Sequence, residues 1–137
     1  MQDKLTDSVT PQPWRLCKRV LPQHTDHAGV MWHGAYVAWL DEARVEALAA
    51  AGLSYSAMAA MGVEMPVVAM NLEYRRSIRH GDQIVLESHC GSQSGVRWPW
   101  RSCLLLDGRV MAEARVELVI LGHGRLLRRP PEAISPV

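Results

Sequence analysis

The sequence predicts an α+β domain: one antiparallel sheet of about five strands with a long helix laid on one face. Three observations predict it. Residues 34 or 35 to 51 form an Ala-rich segment with apolar residues at helical spacing. From Val68 to Ile120 the apolar period shortens to two. Turn signals then interrupt that alternation at hairpin spacing, at His80-Gly81-Asp82, at residues 91–95 and at Asp107-Gly108.

In order, residues 14–21 alternate loosely and end before Pro22, which suggests a first strand. The long helix follows a loop. Tyr36, Leu40, Ala43, Ala47 and Ala51 fall on one stripe, Asp41, Glu42, Arg44 and Glu46 mostly opposite, and Gly52 is placed to cap the end. Such a small-residue stripe can approach a sheet closely. Residues 54–61 read as a short helix with Ser54 as N-cap and Gly62 as stop. Four strands follow: Val68 to Arg75, Ile84 to His89, Val96 to Leu106 and Val110 to Ile120. Pro99 cannot donate to a ladder, so it marks an edge or a bulge. The expected organisation is a flexible arm over 1–13, one domain over 14–124 and a fraying tail over 125–137.

The 137 residues suffice for a core without covalent staples. A formal net charge of +1 gives no reason to expect nucleic acid or an anionic membrane as partner. Cys17, Cys90 and Cys103 are odd in number and widely spaced, which argues against a disulfide framework or a CxxC metal pair. No apolar run reaches bilayer length, and the polar start lacks a secretory pattern, so the expected setting is the cytoplasm.

Chemistry concentrates in the loop from His24 to Tyr36, which holds three of the six histidines and one acid. Asp26 precedes His33 by seven residues, and His33 stands close to the expected helix start. Unpaired N–H groups at a helix N-terminus can hold a carbonyl oxygen as it gains charge. A carboxylate beside them can attack that carbonyl or activate water. Equally, Asp26 could be a turn former closing an Asx hydrogen bond, with His33 an ordinary first-turn residue. His24, His27, His33 and Asp26 match no zinc spacing, so no metal is expected. The elbow, P-loop, dinucleotide and HExxH motifs are missing. A second cluster, Arg75, Arg76, Arg79 and His80, could bind phosphate or be a solvated strand end.

Thr25-Asp26-x-x-Gly29-Val30-x-x-His33-x-x-Tyr36, then Asp41-Glu42-Ala43-Arg44, Tyr74 and Gly81-Asp82, resemble the 4-hydroxybenzoyl-CoA thioesterase family of the hotdog fold. The resemblance includes its short acyl-CoA thioesterases of the Tol–Pal-associated type. The resemblance runs from about residue 15 to 121. It implies a strongly curved sheet wrapped around the helix, with subunits joined sheet to sheet as a homodimer or homotetramer and the active site at the dimer interface. Asp26 falls on the family's acid, nucleophile or base, and His33 on its catalytic histidine position. Gly29, His33 and Gly34 fall where backbone positions the carbonyl. The substrate would be an acyl-CoA, hydrolysed without a cofactor beyond the CoA it carries, and Arg75, Arg76 and Arg79 are candidates for the CoA phosphates.

Many relatives carry Tyr and Asp where this chain has Pro22 and His24. That departure leaves two alternatives beside acyl-CoA hydrolysis in general: 1,4-dihydroxy-2-naphthoyl-CoA hydrolysis, and a non-catalytic acyl-CoA-binding protein.

Overall fold

The computed structural model describes residues 13–128. The arm expected over 1–13 lies outside the described residues except for Pro13, as does the tail beyond Arg128. The elements are β1 (Trp14–Arg19), a 3-10 turn (Pro22–His24), α1 (His33–Ala50), α2 (Tyr55–Ala60), β2 (Val63–Glu64), β3 (Val67–Tyr74), β4 (Gln83–Cys90), β5 (Arg97–Leu106), β6 (Arg109–Gly122) and β7 (Arg125–Leu127).

The sheet is antiparallel, with the long strands in the order β1-β4-β5-β6-β3. The two short strands both pair with the far end of β6. This is the hotdog plan: five long strands curl about α1. Asp107 and Gly108 take φ of 50° and 78°, the left-handed pair that lets two residues close the β5–β6 hairpin. Pro99 lies inside β5 where β4 stops: Cys90 pairs with Trp100, and beyond it only the Gly91 N–H reaches the Pro99 carbonyl. Its missing donor therefore leaves no ladder bond broken.

α1 buries Tyr36, Leu40, Ala43 and Ala47, the stripe read from the sequence, and adds Trp39 and Leu48. The first half of the helix packs with Val20, Ile78, Ile84, Leu86 and Leu104. The second half packs with Met58, Trp98, Trp100, Leu118 and Ile120. Each large apolar side chain removed from water contributes about 1.5–3 kcal/mol, so these layers are the main source of stability.

Three expectations change. Arg44, placed on the solvent side of α1 by periodicity, is buried, with its guanidinium 2.8 Å from Asp41 Oδ1. Residues 125–127, assigned to the tail, form β7. β6 itself ends at Gly122; His123 and Gly124, with φ of 49° and 81°, then turn the chain back so that β7 pairs with the end of β6. β2 is a third addition, too short for periodicity to register. Among the described residues no helix is long and apolar enough to cross a membrane.

Candidate active site

The loop between the 3-10 turn and α1 is a miniature antiparallel ladder. Trp32 N–H donates to the His24 carbonyl at 3.2 Å, Thr25 bridges Met31, and Asp26 N–H donates to the Val30 carbonyl at 2.8 Å. Side chains alternate across such a ladder. Met31 turns inward and is buried, while Asp26 shares its face with His24, Val30 and Trp32. Asp26 thus stands two residues, about 7 Å, from the rung that opens α1.

A third segment fastens the ladder. Met31 N–H donates to the Ile78 carbonyl at 2.8 Å, and His80 N–H to the Gly29 carbonyl at 3.0 Å. Val30 bridges Arg79, so Asp26, Val30 and Arg79 form one row with side chains on the same face. Gly29 supplies the turn at φ 77°. Asp82 holds Arg79 in place: its Oδ2 accepts from the Arg79 N–H at 2.8 Å. His24 anchors the other flank. Its Nδ1 accepts from the Leu21 N–H at 3.0 Å, and its ring stands edge-on to Trp39 at 5.1 Å.

The Asp26 carboxylate has two distinct oxygens. Oδ1 accepts from the N–H groups of Ala28 (2.9 Å) and Val30 (3.1 Å), closing the Asx turn weighed in the sequence reading. Among the described residues no group donates to Oδ2. The Val30 amide, above all, holds the carboxyl below its ordinary range; slight desolvation opposes it, and the Ala28 amide and His27 reinforce it. Asp26 is therefore ionised at neutral pH, with one oxygen fixed and one free.

α1 opens without a side-chain cap. Trp32 occupies the N-cap position and accepts only the Ala35 N–H through its carbonyl. Among the described residues the N–H groups of His33 and Gly34 find no acceptor, which leaves two oriented donors at the positive end of an 18-residue helix. The indole of Trp32, 45% exposed, lies across Gly34: a Cβ there would strike the six-membered ring of that indole. The His33 ring stands edge-on to the same indole at 5.2 Å.

Tyr36, one turn into α1, is fully buried and meets Tyr74 at the end of β3 edge to face at 5.0 Å. Burial, with some help from Tyr74, pushes the Tyr36 hydroxyl up to about 12, so it stays protonated. Sequence reasoning did not single out Trp32 or Tyr74 as neighbours of one site; the aromatic at the N-cap position was the available signal.

The arginine cluster divides. Arg75 is engaged, 2.6 Å from Glu113 and 3.0 Å from Glu73, and Glu113 raises its already high pKa. Arg76 and Arg79 are exposed and make no ion pair among the described residues. Of the three, Arg79 is tied by backbone to the Asp26 loop. No group of three or more His, Cys, Asp or Glu side chains among the described residues could hold a metal. Cys103, with its thiol pushed up by burial and by Glu113 and Glu87, lies in the sheet away from this loop.

Together, fold and loop define a hotdog protein with an ionised acid beside an open helix N-terminus. A family model described as the thioesterase-like superfamily matches residues 20–135, and the chain belongs to that superfamily. It is 33% identical over 133 residues to a provisionally named esterase of Synechocystis sp., covering 94% of this chain and 80% of that one. It is 34% identical over 117 residues to an acyl-CoA thioester hydrolase of Escherichia coli, covering 85% of each. Among solved structures, a hypothetical protein of Thermus thermophilus superposes with a TM-score of 0.80 at 30% identity, covering 88% of this chain and 92% of that one.

Proposed function

We propose that this protein is an acyl-CoA thioesterase: it hydrolyses an acyl-CoA to the free carboxylic acid and CoA, with no cofactor beyond the CoA of its substrate. The observation that carries the reading is the pairing of the free Asp26 Oδ2 with the two unclaimed amides of His33 and Gly34. In this reading the thioester carbonyl oxygen lies against those amides. Asp26 takes a proton from water as the water oxygen adds to the carbonyl carbon, or adds to it directly and forms an anhydride that water then opens. Collapse of the tetrahedral adduct breaks the C–S bond, and the CoA thiolate leaves and is protonated. The His33 side chain, exposed beside the same amides, is available to position water or the leaving sulfur.

Support for an acyl-CoA substrate comes from the hydrolase relative and from Arg79, a free cation on the face that carries Asp26. Arg76 offers a second charge for phosphate; Arg75, already paired, contributes less. The loop resemblance favours the short acyl-CoA branch, and the hydrolase relative is named for acyl-CoA thioester hydrolysis without naming the acyl group. We read the protein as cytoplasmic.

We place a second copy against β3. This strand pairs only with β6, and Val67, Val68, Met70 and Tyr74 along it are exposed. The opposite edge, β1, carries Arg15, Lys18 and Arg19, charges that discourage edge pairing. Joining two β3 edges gives a homodimer with one continuous sheet, and a homotetramer would be a pair of such dimers.

The test is thiol release from a panel of acyl-CoA thioesters, short to long aliphatic and aromatic, with 1,4-dihydroxy-2-naphthoyl-CoA included. Turnover of aliphatic members is expected. Binding of acyl-CoA without thiol release across the panel would instead favour a non-catalytic binding protein, and turnover confined to the naphthoyl substrate would move the protein to that reaction.

A further inference from the structure

His24 touches both segments that carry the reacting groups. Asp26 follows it by two residues, and the His24 carbonyl accepts the Trp32 N–H at 3.2 Å, on the chain that leads into His33 and Gly34. Its side chain also closes the turn before it. The His24 N–H donates to the Leu21 carbonyl at 2.9 Å, and the Leu21 N–H donates back to His24 Nδ1 at 3.0 Å, a reciprocal tie. A ring nitrogen that accepts carries no proton, which puts the ring hydrogen on Nε2. The remaining bonds of the turn come from Thr25, whose N–H and Oγ1 both donate to the Pro22 carbonyl, at 3.1 and 2.8 Å.

The ring that accepts this bond has a fixed seat. It meets the indole of Trp39 edge to face, with centroids 5.1 Å apart and planes at 74°. Such pairs constrain orientation as well as burying area. Trp39 is itself buried in α1, and the Lys18 ammonium lies over its indole at 5.8 Å while pairing with Glu42 at 3.0 Å. The helix therefore grips the loop twice: at its first residue, through the chain, and at Trp39, through His24. Between those two points hang the Asp26 carboxylate and the amides of His33 and Gly34. Their mutual alignment matters because misplacing reacting groups by about 1 Å can cost about a hundredfold in rate.

We propose that His24 is a positioning residue for the hydrolysis: its Nδ1, a hydrogen-bond acceptor seated against Trp39, locks the turn before Asp26 and so sets the carboxylate at its working distance from the His33 and Gly34 amides. The inference rests on the thioesterase reading above and deepens it. His24 touches no substrate atom and transfers no proton; it contributes one acceptor at one fixed point. Without that acceptor the Thr25 bonds to Pro22 and the Asp26 bond to Val30 persist, so the loop stays folded while the Leu21 tie opens. Affinity for acyl-CoA, which draws on the charge of Arg79, then changes little. The rate, which depends on alignment at the carbonyl, changes most.

The test sets His24→Phe against His24→Asn. Phe keeps an aromatic ring against Trp39 and removes the acceptor. Asn gives up the ring and returns an acceptor, because its Oδ1, like Nδ1, is bonded to Cγ. The measurements are kcat for thiol release and Kd for a non-hydrolysable acyl-CoA thioether. His24→Phe should lower kcat about tenfold or more with Kd within about threefold of wild type, and His24→Asn should restore kcat to within about threefold. A His24→Phe kcat near wild type, a His24→Asn kcat as low as that of His24→Phe, or a loss of kcat matched by an equal loss of affinity overturns the proposal while the thioesterase reading stands. A nitrogen–proton correlation spectrum of the wild-type imidazoles, assigned by the signals missing in His24→Asn, needs no Phe variant to fold. It should show the His24 proton on Nε2, and a proton on Nδ1 overturns the proposal. Wild-type protein inert toward the whole acyl-CoA panel overturns the reading itself, and the proposal with it.

Discussion

At residue scale the loop carries two roles in one side chain. Asp26 is both the turn former that composition favoured and an ionised acid with a free oxygen, because a carboxylate has two oxygens and the Asx turn uses one. The amides that fix the loop also depress the pKa. The sign follows: a carboxylate whose folded pKa is lowered stays charged as pH falls through the ordinary carboxylate range. The acid limb of kcat against pH should therefore lie below the ordinary carboxylate range wherever the fold survives. The same shift makes Asp26 favour the folded state above its unfolded pKa, a contribution lost as pH drops through the folded value. A limb well above the ordinary carboxylate range would assign the controlling ionisation to a group other than Asp26. Gly34 supplies a second residue-scale prediction. A Cβ at that position would strike the Trp32 indole, the far end of an exposed side chain that can swing away. Gly34→Ala should leave Tm unchanged or slightly higher, since Ala favours the helix by up to about 1 kcal/mol. It should nevertheless shift tryptophan fluorescence and lower kcat/KM; unchanged kinetics would show that the placement of Trp32 has no part in the reaction.

At the scale of elements, the edge strand β3 is the telling case. Its alternation is legible as a strand, but alternation does not reveal that one long side goes unpaired. Met70, Leu72 and Tyr74 oppose Val116, Ala114 and Ala112 of β6, so they sit on the buried-side face of the sheet, yet Met70 and Tyr74 remain exposed. If β3 is the proposed interface, wild-type protein should be a dimer in light scattering at micromolar concentration, and Met70→Lys should be a monomer with reduced thiol release. A variant that stays dimeric with full activity would move the interface elsewhere. The same distinction governs what else could be read from sequence. The α1 stripe, the Ser54 cap, which accepts from the Ala57 N–H at 3.2 Å, and the Asp107-Gly108 hairpin follow from local rules and appear where those rules put them. Arg44 defied periodicity because Asp41, one turn back, satisfies its charge as the helix buries it. β7 escaped because three residues after a strand-ending glycine are too few for alternation to show that the His123-Gly124 turn returns them to β6.

For the whole molecule, the site is a product of topology. The Asp26 ladder is held by residues 78–80, some fifty positions away, and an apolar cavity between α2, β2 and the β6–β7 turn gathers residues 55–66 with 121–124. No spacing rule joins such segments, which is why the sequence indicated the acid, the helix start and the arginines but not the pocket. In a single copy Asp26, Trp32 and Tyr74 face solvent; the second copy proposed on β3 would cover them and exclude water from the reacting carbonyl. The account therefore depends on the acid being chemically active and not merely structural, and Asp26→Asn separates the two. The amide oxygen of Asn can still accept from Ala28 and Val30, so the loop persists while the free carboxylate oxygen is lost. Measured side by side, kcat for thiol release and Kd for a non-hydrolysable acyl-CoA thioether decide the matter. The account predicts kcat lower by about a hundredfold or more with Kd within about threefold of wild type; a kcat that stays within a few fold of wild type would contradict it.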